Sequence, residues 1–371
     1  MTPSSVTEAA ELLRELGAAG TAVRPVGSGS RAGWGGGDSA ARELNTAGLN
    51  RVLEHNPGDF TAVLECGVPL ADAQDVFASA GQWLAIDPSP GGTIGGLVAT
   101  ADSGPARHRY GGVRDLVIGV TLVLSDGTVA RSGGRVIKNV AGYDLGKLFT
   151  GSFGTLGLVA EVAVRLHPLP SGTATAVARF VDPSALAGAA AELSRHPLEA
   201  LCLDAEWRSG AGRLLARFGG VTASDQARSV ATLLAGLPGA RDAAVAEDDE
   251  ALWDAQRAGQ RSADGVVLKV SARPADLAQV VRVADQVGAS VVARAALGPA
   301  WLALSPGGGA DAVDAVRRAL APRAVVVLDG GDRVPSPWPD VDGGAEAVMR
   351  RVKARFDPAR IFRPGAYVGG L

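Results

Sequence analysis

Two glycine-rich stretches hold the residues of this sequence best suited to chemistry. The first is Gly27-Ser28-Gly29-Ser30-Arg31-Ala32-Gly33-Trp34, which follows a short apolar run at 21–26. The second runs from Asp87 to Gly111 and carries Gly91-Gly92-Thr93-Ile94-Gly95-Gly96 in its first half. Where Cβ atoms are missing, backbone can lie against a flat or charged group, and bare N–H groups then face it. A strand running into a Gly/Ser loop is a good cradle for a pyrophosphate, because N–H groups and Ser hydroxyls converge and nothing bulky blocks approach. The apolar Leu97-Val98-Ala99 predicts a short buried helix that opens at the second stretch. The first loop is not the G-x-G-x-x-G dinucleotide fingerprint, since no packed helix pattern follows it, and it lacks the Gly-Lys-Ser/Thr of a Walker loop. With 50 glycines in 371 residues, a plain surface loop is the competing reading for either stretch.

Other candidates are sparse. There are four histidines. His55 lies in a turn, His167 in a Pro-rich step and His196 at a helix end before Pro197, and all three read as structural. His108 adjoins Arg109-Tyr110 and is the one histidine close to a glycine stretch. Arg107 and Arg109 could hold a carboxylate or a phosphate. No H-x-H, H-E-x-x-H or paired metal-binding carboxylates occur, so no metal is expected. Cys66 and Cys202 are far apart, in apolar settings, and form no metal or cluster spacing. A reduced, cytoplasmic protein is the expectation. Net charge is −3, which gives no reason to expect nucleic acid as a partner. No basic-then-apolar leader pattern and no 18-residue apolar run is present.

The elements that must position these residues can be read in order. Helix is expected at 4–16, strand at 21–26, short strands at 44–52 and 61–66 around the turn at 55–59, and helix at 69–80. Residues 116–124 are apolar on both faces and predict a buried strand, followed by a hairpin turn at 125–128 and a strand at 158–166. The step His167-Pro168-Leu169-Pro170 reads as a linker. Beyond it a pattern recurs twice: strand 174–181, helix from Asp182-Pro183 to 195, strands 199–207 and 213–218, helix 222–235, strand 240–245; then strand 265–272, helix from 274, strands 290–295 and 300–304, helix 308–320, strand 323–328. The acidic run Glu247-Asp248-Asp249-Glu250 between them reads as a solvated helix start. Each half is β-α-β-β-α-β, so the expectation is an α+β chain with two ferredoxin-like units sharing one antiparallel sheet, helices on one face. A helix at 345–356 follows a Pro/Gly-rich return loop. The expected division is 1–170, 171–335 and a C-terminal segment 336–371.

Six motifs in order carry a family resemblance: Gly27 to Gly33 after a strand; Gly91 to Gly96; Arg109-Tyr110-Gly111; Lys138-Asn139-Val140-Ala141-Gly142-Tyr143-Asp144-Leu145; Gly151-Ser152-Phe153-Gly154-Thr155-Leu156-Gly157; and Phe356-Asp357-Pro358 through Pro364-Gly365. Together they resemble the PCMH-type FAD-binding proteins of the vanillyl-alcohol oxidase type. Ser103-Gly104-Pro105, Arg107, Gly112, Arg114 and Asp115 look like the smaller FAD-binding subunit of bacterial glycolate oxidase or dehydrogenase. The resemblance covers about 1–170 and 345–371. It implies a two-subdomain FAD-binding domain with the repeated units as a cap. It implies that Val26, Gly27, Ser28, Gly29, Ser30 and Arg31 wrap the FAD pyrophosphate, and that Gly92, Thr93, Ile94, Gly95 and Gly96 face the phosphates and flavin. Pro88, Ser103, Arg109, Tyr110 and Gly111 would lie along the cofactor, Asn139 and Tyr143 near the isoalloxazine, and the Val159 backbone against adenine. The first loop has no His or Cys, so the FAD would be non-covalent. The tail has Arg363 where the family usually has Asn, and Arg363 could contact flavin or an acidic product.

The implied activity is oxidation of a small 2-hydroxy acid such as glycolate, with electrons passing to a larger FAD subunit and an iron–sulfur subunit, and with peripheral docking at the inner face of the cell membrane through those partners. Hydride removal from such a substrate needs a base and a cation for the carboxylate. His108, Tyr143 and Arg363 are the weak catalytic candidates. Two other readings stay open: a stand-alone FAD dehydrogenase of another hydroxy acid or alcohol, and a non-catalytic assembly subunit.

Overall fold

A computed structural model describes residues 1–36, 41–135 and 142–371. Its first half is built on a five-stranded antiparallel sheet in the order Val52–Asn56, Thr61–Glu65, Leu158–Arg165, Val117–Val123, Val129–Gly133. The strand Val117–Val123 is nearly all buried, as its two apolar faces predict. A separate parallel pair, Val23–Val26 with Arg42–Asn45, carries the first glycine loop, and Phe362 bridges to Val23 from the tail. The helix Val6–Ala18 buries Ala9, Leu13 and Leu16, spaced along one face, and Ser5 caps it by accepting from the Glu8 N–H at 3.1 Å.

The run expected as one strand at 44–52 is broken. The side chain of Asn45 accepts from the Ala47 N–H at 2.8 Å, turning the chain into a single helical turn at Thr46–Gly48 before Val52 begins the next strand. Gly48 is obligatory in that turn, because a Cβ there would sit 2.4 Å from the Pro3 carbonyl oxygen.

From Thr173 to Asp329 the chain forms one eight-stranded antiparallel sheet. Its order is Arg241–Ala246, Thr173–Phe180, Ala211–Gly219, Cys202–Arg208, Ser290–Arg294, Ala300–Ala303, Val267–Val270, Val325–Asp329. Each β-α-β-β-α-β unit has the spatial order fourth, first, third, second. The two units join edge to edge at their second strands, with Ala205 opposite Ala293. The helices Pro183–Arg195, Ala223–Ala235, Leu277–Gln286 and Ala310–Leu320 pack on one face against Leu203, Leu214, Leu268 and Leu302. Each such leucine stabilises by about 1.5–3 kcal/mol through burial. Asp182 caps the first of these helices, accepting from the Ser184 N–H, with Pro183 at the first helical position.

The opposite face of this sheet turns toward the first half. Alternation puts Cys202, Asp204 and Glu206, then Arg294, Trp301, Lys269 and Val267, on that face. Trp34 from the first glycine loop packs there on Val267, Val292, Trp301 and Leu328. The acidic run between the units does open a helix, Glu250–Ala258. Asp249 departs from the expectation of a solvated start. It is buried, pairs with Arg217 at 2.8 Å and accepts from the hydroxyls of Thr173 and Thr175. The reason is that Arg217 and both threonines lie on the sheet face that this helix covers, and a buried guanidinium needs a carboxylate.

The C-terminal helix Gly343–Phe356 ends in a buried knot. Lys353 Nζ donates to Asp357 Oδ2 at 2.7 Å and to the carbonyls of Thr155 at 2.6 Å and Phe362 at 2.7 Å. Asp357 in turn accepts from the Ile361 and Phe362 N–H groups at 3.2 and 3.0 Å. Replacing Asp357 by alanine strands a buried ammonium, so Asp357→Ala is expected to lower stability by about 3–5 kcal/mol, read as a lower urea midpoint at unchanged slope.

Candidate functional site

A cleft of about 740 Å³, open to solvent, lies between the two glycine stretches and the strand Leu158–Arg165. It brings together Val26, Gly27, Ser28, Gly29, Ser30, Arg31, Gly92, Thr93, Gly95, Gly96, Val159 and Arg363. The strand Val23–Val26 delivers the first loop, and Gly29, at φ +74°, turns it. Among the described residues, the N–H groups of Gly27, Ser28, Gly29 and Ser30 meet no protein acceptor. Four consecutive unpaired donors at a cleft wall form an anion-holding nest. The loop lies so close to the second stretch that a Cβ on Gly27 would sit 2.1 Å from Thr93 Oγ1.

The second stretch works differently from the expectation. Thr93 begins the helix Ile94–Thr100 and accepts weakly from Gly96 N–H at 3.4 Å. The Ile94 N–H is taken by the Val68 carbonyl at 2.9 Å and the Gly95 N–H by the Cys66 carbonyl at 2.7 Å. Ile94 points into the core and does not line the cleft. These two N–H groups therefore hold the helix in place and are not offered to a phosphate. Gly95 is needed for that approach, since a Cβ there would meet the Cys66 side chain at 2.6 Å.

Arg31 also has a different task. It is buried, and its guanidinium donates to Asp102 Oδ2 at 2.8 Å, Ser30 Oγ and the Gly91 carbonyl at 2.7 Å each, and the Ser89 carbonyl at 2.8 Å. It ties the first loop to the second stretch. Arg363 is likewise buried, donating to the carbonyls of Phe153 at 2.9 Å and of Trp34 and Gly36 at 3.3 Å each. It ties the tail to the first loop and to the Gly151–Gly157 turn at the cleft's edge.

The remaining expected residues lie outside this lining. Pro88 is buried beneath it. The Ser103 carbonyl accepts from Gln260 of the cap sheet's side at 3.3 Å. Arg109 is exposed near Glu199, at 3.9 Å. Tyr110 packs on Trp83 and His167, with ring centroids 5.4 and 4.7 Å away. Gly111, at φ +81°, turns the chain tightly over Asp115. Tyr143 is 92% exposed. Asn139 lies outside the described residues. His108 has a buried Nδ1 with no hydrogen-bond partner among the described residues, and burial, aided by the Arg109 charge, holds its pKa below the usual imidazole value. A neutral imidazole of this kind can accept a proton.

Thr46, Cys66, Phe153, Gly154 and Leu158 also line the cleft, beyond the residues expected from the sequence. Two of them carry a readable signal: Phe153 and Gly154 both have positive φ, at 56° and 72°, as the Gly-Ser-Phe-Gly turn requires. Burial pushes the Cys66 thiol up to about 12, so no thiolate is present at neutral pH.

Asp87, at the start of the second stretch, accepts from the Ala106 N–H at 2.9 Å and lies 3.8 Å from Arg257. Burial raises its carboxyl to about 6, against the opposing charge of Arg294, the Ala106 N–H and Arg257. The native state then holds a proton that the unfolded chain releases near its ordinary value of 3.8. Stability from this group is full below that value and is lost as pH rises through about 6, by up to about 3 kcal/mol. Asp87→Asn should flatten the fall in melting temperature across that window.

Residues 1–133 match the family described as the FAD binding domain. By this match the first third of the chain is similar to PCMH-type FAD-binding domains, and FAD is the cofactor that the match supports. The cleft fits that cofactor: a nest of unpaired donors for the pyrophosphate and an apolar wall at Leu158, Val159 and Phe153. The chain is 36% identical over 147 residues to the mitochondrial D-lactate dehydrogenase [cytochrome] 1 of Saccharomyces cerevisiae, covering 40% of this chain and 25% of that protein. It is 38% identical over 122 residues to glycolate oxidase subunit GlcE of Escherichia coli, covering 32% of this chain and 35% of that one. The matched segment thus spans about a quarter to a third of the length of these relatives. The whole fold is similar to a solved structure of alkyldihydroxyacetonephosphate synthase, with a TM-score of 0.71 and 16% identity, covering 98% of this chain and 76% of that one.

Proposed function

We propose that this chain is an FAD-dependent oxidoreductase of small 2-hydroxy acids of the glycolate and D-lactate class, working as the FAD-binding subunit of a complex. The observation that carries the reading is the cleft itself, with its nest of free donors at Gly27–Ser30. Through Trp34 the first loop packs on the cap-sheet face that bears Arg294, Trp301 and Lys269. The names of the relatives supply the substrate class.

Bound FAD would supply an acceptor for the hydride from the substrate's α-carbon, and the Gly27–Ser30 loop with Phe153, Leu158 and Val159 would hold it. The chain's own residues hold the cofactor, exclude water at the seam and present cations where a carboxylate would lie. His108, its pKa lowered by burial and its Nδ1 unpartnered among the described residues, is the group assigned to take the hydroxyl proton. The partners in this reading are a larger FAD subunit and an iron–sulfur subunit, in the cytoplasm or docked through them at the inner face of the membrane. A second reading is a dehydrogenase of another small hydroxy acid or alcohol that turns over without partners.

Anaerobic mixing of the FAD-loaded protein with a panel of 2-hydroxy acids, alone and with candidate partners, separates these. Bleaching of the flavin by glycolate or D-lactate supports the proposed activity. Equal rates with and without partners favour the stand-alone enzyme. No bleaching under either condition contradicts both and leaves an assembly role.

A further inference from the structure

The face of the cap sheet turned toward the FAD-binding half carries several cations, and most are paired. Arg294, fully buried, donates to Asp204 Oδ2 at 2.6 Å and to Gln260. Arg217 is held by Asp249 at 2.8 Å and Arg213 by Glu206. Lys269 stands apart. It lies in the run Val267-Leu268-Lys269-Val270, where Leu268 and Val270 face the helices and Val267 packs on Trp34. Alternation therefore sends Lys269 to the seam. It sits directly across from Trp301, 5.8 Å over its ring. Among the described residues, its ammonium has no hydrogen-bond acceptor and no ion-paired carboxylate.

A second cation meets it from the other side. Arg107 belongs to the short helix Arg107–Tyr110 at the end of the second glycine stretch. Its guanidinium packs over Gly112, where a Cβ would sit 3.4 Å from Cζ, and reaches Ser103 Oγ only at 3.5 Å. Arg107 too has no ion-paired carboxylate among the described residues. A chain of contacts brings the two to one place: Arg107 lies at Ser103, whose carbonyl is held by Gln260, and Gln260 bonds Arg294, which shares the Trp301 ring with Lys269. Burial lowers the Lys269 pKa most, and Arg107 and Arg294 lower it further against the pull of Asp102. Asp102 does not neutralise them, because it is committed to Arg31 at 2.7 Å. Gln260 bridges the same seam, donating to the Ser103 carbonyl at 3.3 Å. Two partly desolvated cations without a counter-ion are costly unless an anion joins them.

We infer that Lys269 and Arg107 form a two-sided clamp for the carboxylate of the substrate, one jaw from the cap sheet and one from the FAD-binding half. The inference rests on the proposed 2-hydroxy acid activity. The clamp binds and orients; no proton or electron transfer is assigned to it.

Oxalate, a small unreactive dicarboxylate, is the probe. It should perturb the flavin absorption spectrum of the FAD-loaded wild-type protein saturably. Lys269→Met and Arg107→Met should each weaken oxalate by about 10- to 100-fold, as expected for loss of a charge-assisted contact, with FAD content unchanged. Lys269→Arg should restore most of the affinity. If Lys269→Met fails to fold, Lys269→Arg and Arg107→Met still carry the test. Unchanged oxalate affinity in Arg107→Met together with loss in Lys269→Arg overturns the clamp. So does reduction of both methionine variants by glycolate or D-lactate at unchanged KM, which would leave the activity standing. Saturable oxalate binding lost in both methionine variants, in a wild-type flavin that no hydroxy acid reduces, would support the clamp and overturn the proposed activity.

Discussion

Arg31→Ala is expected to yield a protein that no longer retains FAD and unfolds at markedly lower urea. The side chain is the bolt between the two loops that form the cleft. Its guanidinium donates to Asp102, Ser30, Ser89 and Gly91, all within 3.2 Å. Truncation leaves the Asp102 carboxylate buried with no cation, which costs about 3–5 kcal/mol. It also frees the carbonyls of Ser89 and Gly91 from their donor, so the second stretch loses its register against the first. The cleft should be lost at a lower denaturant concentration than the cap sheet, whose core does not include Arg31. Near-UV circular dichroism and flavin release, followed against urea, would read the two events separately. Coincident transitions at the wild-type midpoint would contradict this role and mean that Arg31 has no hold on the cleft.

Gly27→Val is the second large effect, and it acts by space alone. A Cβ at position 27 would lie 2.1 Å from Thr93 Oγ1 and 3.0 Å from Thr93 Cβ, distances that no packing adjustment of a single rotamer absorbs. The loop must swing away from Thr93, and the nest of N–H groups at Gly27–Ser30 loses its aim. FAD affinity is expected to fall at least about 100-fold, since several charge-assisted hydrogen bonds to the pyrophosphate go together. Gly33→Ala is the control in the same loop. Among the described residues nothing lies within 4 Å of a Cβ there, so FAD retention should be that of the wild type. Equal retention in Gly27→Val and Gly33→Ala would remove the first loop from the cofactor site.

Much of this architecture is legible in the sequence because it is local. Asp182-Pro183 announces a helix start by capping chemistry alone, and the repeated β-α-β-β-α-β grammar follows from periodicity and turn residues. The eight-stranded sheet with helices on one face follows from that grammar. The first loop is legible for the same reason: glycines and serines after a strand leave donors free. Where long-range partners go is not legible. Arg31 looks like a phosphate ligand in sequence, and only the fold shows Asp102 waiting for it 71 positions on. Thr93–Gly96 look like free donors, but Cys66 and Val68 take two of them because the strand Thr61–Glu65 ends beside that helix. Asp249 looks solvated until Arg217 is brought onto it. Lys269 is a clue that becomes meaningful only once its strand is known to be buried: a lysine inside Val-Leu-Lys-Val is out of place there unless its face is a site.

The central proposal is that the cleft between the two glycine loops holds FAD without a covalent bond. The direct measurement is acid precipitation of the purified protein, with the flavin quantified in the supernatant and in the pellet and its identity fixed by chromatography. The expected result is FAD in the supernatant at close to one per chain and none in the pellet. Colourless protein that takes up no FAD on incubation, or flavin that stays with the pellet, would contradict it.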